Sequence, residues 1–212
     1  MADVKICGIT DAHALDAAVD GGARYVGFVV YPKSPRHLSR DKLGALSNRA
    51  RGRAQIVVVT VDADDELLSL IQHHAKPDWI QLHGRERPAL VSHARQYART
   101  GVIKALGVAR REDLDGASAY ENVAEMLMFD AKPPPGGLPG GNAAAFDWPI
   151  LAGQRFARPW MLSGGLTPAN VQEAIAASGA AIVDVSSGVE SAPGLKDPAK
   201  ISQFLKAATS AE

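Results

Sequence analysis

Short apolar stretches alternate with amphipathic stretches along almost the whole chain. Continuous apolar runs are typical of parallel strands covered on both faces, because neither face needs polar residues. Eight such runs predict strands at Val4–Gly8, Tyr25–Val30, Gln55–Val61, Trp79–Gly84, Val102–Val108, Glu125–Ala131, Trp160–Gly165 and Ala181–Ser187. The intervening stretches carry the spacing and end signals of helices.

Helix start signals follow most of the predicted strands. The predicted N-caps are Thr10 or Asp11, Ser39, Asp64 or Asp65, Thr167 and Asp197. Pro168 would be the first residue of the helix that Thr167 caps, and Gly179 would follow its end. The fifth and sixth helices have the weakest signals, since the fifth contains a glycine and the sixth is barely two turns long.

Eight strand–helix units predict a closed barrel. An open doubly wound sheet would use the same alternation, but eight units without Gly-x-Gly-x-x-Gly after the first strand favour the barrel. We therefore predict an α/β fold, a (β/α)8 TIM barrel of eight parallel strands, with residues 1–212 forming a single domain. The Pro/Gly-rich stretch 132–145 is predicted to be a long loop that covers a site.

Composition and charge narrow the classes of partner. The chain is 46% hydrophobic, and its 23 Lys and Arg balance its 23 Asp and Glu. A zero net charge predicts no nucleic-acid or membrane partner, although it is compatible with a local basic pocket. The single cysteine, the absence of a leader and the lack of an apolar run of about 18 residues predict a cytoplasmic protein. A monomer and a homodimer are both compatible with the sequence.

Cys7 ends the first predicted strand, two residues after Lys5, so both side chains lie on the same side of it. Catalytic groups of such barrels lie at the C-terminal ends of the strands. A facing ammonium would lower the pKa of the thiol and make it a usable base or nucleophile. The alternative is a buried inert thiol, which is common for a lone cysteine.

Asp130 and Arg36 are further candidates. Asp130 ends an apolar strand, where partial burial would suit a general acid, although it could equally cap loop backbone. Arg36 lies between Pro35 and His37, in a loop that also contains Pro32. A guanidinium held on such a stiff loop suits a carboxylate or phosphate. A solvated surface arginine is the alternative.

The seventh and eighth strands are followed by loops suited to an anion. Paired glycines precede a predicted helix start in one loop, and two hydroxyls precede a glycine in the other. Since a phosphate site in these loops recurs in the fold, the predicted cradle is Gly164, Gly165, Ser186, Ser187 and Gly188. Simple turns are the alternative.

Polar residues also share faces of strands four and eight. Gln81 and His83 lie two apart on strand four, and Asp184 and Ser186 lie two apart on strand eight. Gln81, His83 and Asp184 are candidates for substrate binding, although a structural histidine is equally compatible. Metal-ligand spacing is not evident among His, Cys and carboxylate residues, so we predict no metal.

Six stretches resemble phosphoribosylanthranilate isomerases, enzymes of tryptophan biosynthesis. They run in the family's order from Lys5 to Asp197 and are "KICGIT", "GGARYVGFVVYPKSPRHLS", "QLHG", "FDAKPPPGGLPGGNAAAFDW", "LSGGLTPANV" and "DVSSGVESAPGLKD". The chain departs from the family's pattern at Ala143–Ala145 and at the stiff Pro133–Pro135, both in the 132–145 loop.

The resemblance implies an Amadori rearrangement, without a cofactor, of the small-molecule substrate N-(5-phosphoribosyl)anthranilate. By analogy, Asp130 is the general acid that opens the sugar ring, Cys7 is the general base at C2, and Arg36 binds the anthranilate carboxylate. The resemblance also implies that the residues of the predicted cradle bind the phosphate.

Two other functions are compatible with the fold. The sister isomerase of histidine biosynthesis uses two aspartates and a substrate with two phosphates, but cysteine at position 7 and one evident phosphate cradle argue against it. A phosphate-binding barrel without catalysis is disfavoured because Cys7, Asp130 and Arg36 occur together.

Overall fold

The structure is a computed structural model that describes residues 1–132 and 146–210. Its eight parallel strands close into a barrel in the order in which they occur along the chain. The strands are β1 Asp3–Cys7, β2 Tyr25–Val29, β3 Gln55–Thr60, β4 Trp79–Leu82, β5 Gly101–Val108, β6 Met126–Ala131, β7 Trp160–Leu162 and β8 Ile182–Val185. The predicted (β/α)8 barrel is confirmed. Most of the 132–145 loop lies outside the described residues, and the single-domain assignment of 1–212 stays a prediction.

Six α-helices surround the barrel. They are α1 Ala12–Asp20, α2 Arg40–Ala50, α3 Asp65–Ala75, α4 Pro88–Ala94, α5 Val171–Ser178 and α6 Pro198–Thr209. The two weakly predicted helices are 3-10 segments, Arg111–Ala119 and Trp148–Leu151. Within residues 1–132 and 146–210, no helix is long and apolar enough to cross a membrane.

The helix caps follow the sequence signals with one exception. Asp11, Ser39, Asp64 and Asp197 each accept a hydrogen bond from a backbone N–H in the first turn of their helix. The predicted start at Thr167 and Pro168 is wrong, because α5 begins only at Val171. Asn170, another residue type that caps helices, accepts a hydrogen bond from the Thr167 N–H (2.7 Å) and holds residues 167–170 in a turn.

One further element, absent from the prediction, follows β8. A 3-10 turn, Ser187–Val189, leads into an antiparallel hairpin of β9 Glu190–Ala192 and β10 Leu195–Lys196. The hairpin packs over the loops after β1 and β2, where the Thr10 hydroxyl donates to the Gly194 carbonyl (2.9 Å). It therefore extends the rim of the barrel at its C-terminal end.

The alternation of side chains along each strand separates two cores. One set packs between barrel and helices and includes Ile6, Val26 and Phe28. The other set fills the barrel interior and includes Cys7, Val57 and Met128. Cys7 is therefore the uppermost interior residue of β1, and Lys5 lies one layer below it.

Candidate active site

A pocket opens at the C-terminal ends of the strands. It is lined by Cys7, Val29, Tyr31, Ser34, Arg36, Val59, Val61, Gln81, His83, Asp130, Ser163, Asp184 and Ser186. Seven of the predicted site residues are in this set. The other four, Gly164, Gly165, Ser187 and Gly188, lie in the adjoining loops after β7 and β8.

A buried ion pair lies directly beneath the pocket. Lys5 has no exposed surface, and its Nζ donates to Asp184 Oδ1 at 2.7 Å. The second carboxylate oxygen of Asp184 accepts from the Ser163 hydroxyl at 3.1 Å. Ser163 was not predicted, and its only signal was its position between an apolar strand and a glycine pair.

The Cys7 thiol does not have the lowered pKa that the sequence predicted. Burial raises the pKa of Cys7, and the charge of Asp184 raises it further. Lys5 and Lys196 lower it without compensating for burial. Burial also lowers the pKa of Lys5, but the charges of Asp184 and Cys7 outweigh that effect, so the pKa is raised overall.

Gly27 makes room for these interior side chains. It pairs with Cys7 in the β1–β2 register. A Cβ at position 27 would lie 3.0 Å from both Cα and Sγ of Cys7 and 3.3 Å from Lys5 Cε, closer than ordinary van der Waals contact. The position of the thiol therefore depends on a residue without a side chain.

Asp130 is held by neighbours on both carboxylate oxygens. Its Oδ1 accepts the N–H of Ala131 (2.9 Å), and its Oδ2 lies 3.1 Å from His83 Nε2. On the other side of the ring, His83 Nδ1 lies 2.8 Å from Gln81 Nε2. His83 thus links Gln81 and Asp130 through its two ring nitrogens. Asp130 thus faces the pocket and accepts a hydrogen bond from the last residue of β6, not from loop backbone.

Arg36 is buried and paired, so a solvated surface arginine is excluded. Its Nε and Nη2 donate to the two carboxylate oxygens of Glu190 at 2.7 and 2.8 Å. Lys196 Nζ donates to Glu190 Oε1 (2.7 Å) and to the Ser186 hydroxyl (3.3 Å). Burial raises the pKa of Glu190, but Arg36 and Lys196 outweigh burial and lower it overall. Sequence reasoning missed Glu190 and Lys196, and the Pro–Gly between their strands was the available signal.

The loops after β7 and β8 approach each other closely. Gly164 and Gly165 both have positive φ, 94° and 66°. A Cβ at Gly188 would lie 1.9 Å from the Leu166 carbonyl oxygen, so only glycine fits at that contact. The predicted phosphate residues are thereby brought together beside Ser186 on the pocket wall.

Comparison with known proteins shows which family this chain belongs to. The model of the family N-(5'-phosphoribosyl)anthranilate (PRA) isomerase matches residues 4–207. The chain belongs to the PRA isomerase family. The predicted resemblance and the predicted enzyme class, an isomerase, are confirmed.

Individual members of the PRA isomerase family are similar over nearly their whole length. The protein of Paramagnetospirillum magneticum is 53% identical over 207 residues, which cover 97% of this chain and 96% of the relative. The structure of the Thermotoga maritima enzyme has a TM-score of 0.89 at 37% identity and covers 99% of both chains. Another PRA isomerase structure, in complex with reduced 1-(o-carboxyphenylamino)-1-deoxyribulose 5-phosphate, has a TM-score of 0.85 at 35% identity and the same coverage.

Filling the space at position 27 should impair activity without unfolding the protein. In Gly27→Ala the added methyl group pushes the Cys7 thiol aside, and we expect kcat/KM for PRA to fall about tenfold or more. Gly44→Ala is the matched control, since a Cβ there meets its nearest atom only at 3.6 Å. Equal activity of the two variants would mean that the thiol position does not matter.

The raised thiol pKa can be measured directly because Cys7 is the only cysteine. Ultraviolet absorbance of the thiolate, with Cys7→Ser as the blank, should titrate above the ordinary thiol value of about 8.5. If the thiolate is the base, kcat/KM should rise with pH through the neutral range toward that pKa. A thiol that ionises below pH 8 would show that Lys5 and Lys196 outweigh burial.

Breaking the interior ion pair should cost much of the fold's stability. Asp184→Ala leaves the Lys5 ammonium buried without a partner, and we expect the free energy of unfolding to fall by about 3–5 kcal/mol in urea titrations. The double variant Lys5→Met/Asp184→Leu removes both charges and should recover most of that loss. A double variant that is no more stable than Asp184→Ala would show that the two charges are not coupled.

Proposed function

We propose that the protein catalyses the isomerisation of N-(5-phosphoribosyl)anthranilate to 1-(2-carboxyphenylamino)-1-deoxyribulose 5-phosphate in tryptophan biosynthesis. The observation that carries the proposal is that Cys7 and Asp130 line one pocket from two strands that are not neighbours, in a chain of the PRA isomerase family. An aldose–ketose rearrangement of this kind needs one acid and one base on the same substrate. Because every step is a proton transfer or a shift of electrons within the substrate, the chemistry calls for no cofactor.

Asp130 acts as the general acid in the first step. Its carboxyl group donates a proton to the furanose ring oxygen, the bond from C1 to that oxygen breaks, and the nitrogen lone pair forms the C=N bond of a protonated Schiff base. Asp130 is left as a carboxylate, which accepts from the Ala131 N–H and lies 3.1 Å from His83 Nε2. We place a proton at His83 Nε2 in this step, so that both groups donate to the new negative charge.

Cys7 acts as the general base in the second step. As the thiolate, it removes the proton from C2 of the sugar, the C–H electrons form the C1=C2 bond, and the C=N electrons return to nitrogen. The resulting enolamine gains a proton at C1 and loses one from the C2 hydroxyl to give the ketone. The positive charges of Lys5 and Lys196 favour the thiolate, whose burial makes it a stronger base than an exposed thiolate.

The remaining pocket residues bind the substrate. Arg36 binds the anthranilate carboxylate. The phosphate is bound by the residues of the predicted cradle, of which Ser186 lines the pocket. Gln81 and His83 line the same pocket between Cys7 and Asp130 and would face the sugar. Binding energy from the two anionic ends can then orient the sugar between acid and base.

A turnover assay tests this proposal. PRA is generated in situ, and the loss of its fluorescence is followed with the wild type, Cys7→Ser and Asp130→Asn. We expect turnover by the wild type and a fall in kcat of about 100-fold or more in each variant, the size typical of acid–base groups. Asp115→Asn, at an exposed position outside the pocket, is the matched control and should keep full activity.

The assay separates the alternatives. No turnover by the wild type would contradict the isomerase proposal and leave the sister isomerase of histidine biosynthesis or a phosphate-binding barrel. If Cys7→Ser leaves turnover unchanged, the proposed reaction stands, but Cys7 is an inert buried thiol and not the base. The cytoplasmic location and the choice between monomer and homodimer stay predictions.

A further inference from the structure

Three charged side chains beside the pocket form one buried cluster. Arg36, Glu190 and Lys196 are 8%, 9% and 4% exposed, and only Arg36 of the three lines the pocket. Glu190 receives two hydrogen bonds from Arg36 and one from Lys196, each between 2.7 and 2.8 Å. The β9–β10 hairpin carries both Glu190 and Lys196, so the loop after β8 holds the arginine of the loop after β2.

The edge of Arg36 that Glu190 occupies decides what the arginine can still bind. A guanidinium has five N–H donors in a planar fork. Glu190 takes the Nε edge and one Nη2 hydrogen, which leaves the Nη1 side of the fork for a second carboxylate. Glu190 therefore fixes the plane and the direction of Arg36 without using up its donors.

The charges of the cluster decide what it attracts. Arg36 and Glu190 alone would be neutral as a pair, and a neutral pair gives no net attraction for an anion. Lys196 restores a net charge of +1 to the cluster, at 2.7 Å from Glu190. Its bond to the Ser186 hydroxyl oxygen also leaves the Ser186 proton available to a ligand on the pocket side.

We propose that Glu190 is the positioning residue that directs Arg36 at the substrate carboxylate, and that Lys196 supplies the positive charge that Glu190 would otherwise cancel. The β9–β10 hairpin thereby determines specificity for an aromatic amine that carries a carboxylate. The proposal rests on the proposed function, in which Arg36 binds the anthranilate carboxylate.

A positioning role of Glu190 and a purely electrostatic role predict opposite effects of Glu190→Gln on the binding of a carboxylate. Glu190→Gln raises the charge of the cluster from +1 to +2, so electrostatic attraction alone would tighten the binding of a carboxylate. If Glu190 orients Arg36, the same variant weakens that binding. Lys196→Met should weaken it as well, because it leaves a neutral Arg36–Glu190 pair.

The experiment compares two unreactive ligands on each protein sample. One is reduced 1-(o-carboxyphenylamino)-1-deoxyribulose 5-phosphate, and the other is its phenylamino counterpart without the carboxylate. The ratio of their Kd values, measured by titration calorimetry, isolates the carboxylate and does not depend on the fraction of protein folded. We expect Arg36→Met, Glu190→Gln and Lys196→Met each to lower this preference about tenfold or more, the size of a hydrogen bond to a charged group.

Lys200→Met is the matched control. Lys200 Nζ donates to the Glu190 backbone carbonyl (2.7 Å), so it contacts the same hairpin without touching the guanidinium. The control should keep the wild-type preference. A similar loss in Lys200→Met would mean that the hairpin acts only as scaffold, which would overturn the proposal.

The remaining outcomes are distinguishable from one another. A Glu190→Gln variant that keeps or increases the preference, while Arg36→Met loses it, overturns the positioning role and leaves the proposed function intact. If Arg36→Met keeps the preference for the ligand with the carboxylate, Arg36 does not bind that carboxylate, and the proposal is overturned. Failure of the wild type in the turnover assay overturns the proposed function itself, together with the role inferred for Glu190.

Discussion

Closure of the parallel barrel is the constraint on which every other feature depends. Eight parallel strands in one ring place all their C-terminal ends on one rim, whatever their separation in the chain. Cys7, Asp130 and Asp184 come from β1, β6 and β8 and reach one pocket only because the ring is closed. The interior must then accommodate side chains from every strand, which explains why Gly27 stands opposite Cys7.

Charges at this rim are buried in partnerships that leave specific groups available. Lys5 and Asp184 neutralise each other beneath the thiol, so neither charge is left buried without a partner. Above them, the cluster around Glu190 keeps one excess positive charge beside the pocket. The floor of the site is thus electrically balanced, whereas its wall favours an anion.

Much of this arrangement could be predicted from the sequence. The order and number of strands followed from the apolar runs, and Cys7 and Asp130 stood out because polar groups rarely end such runs.

The residues that were missed or misjudged depend on contacts between distant segments. Glu190 and Lys196 lie in strands too short to show a period, and charged residues in such a loop look like solvated surface. Thr167 and Asn170 have the same capping chemistry, so local sequence could not choose between them. The thiol pKa was misjudged because burial, which depends on the whole barrel, outweighs the neighbouring lysines.

The β9–β10 hairpin has a consequence for how such a barrel could diverge. The proposed acid, Asp130, and the proposed base, Cys7, are built into strands, where any change disturbs the packing of the barrel interior. The partners of Arg36 lie instead within seven consecutive residues, 190–196, of a hairpin outside the barrel sheet. In the proposed mechanism, the positioning of Arg36 and the proton transfers are therefore encoded in separate pieces of chain, so changes in the hairpin would alter the range of accepted amines while the acid and base are inherited unchanged.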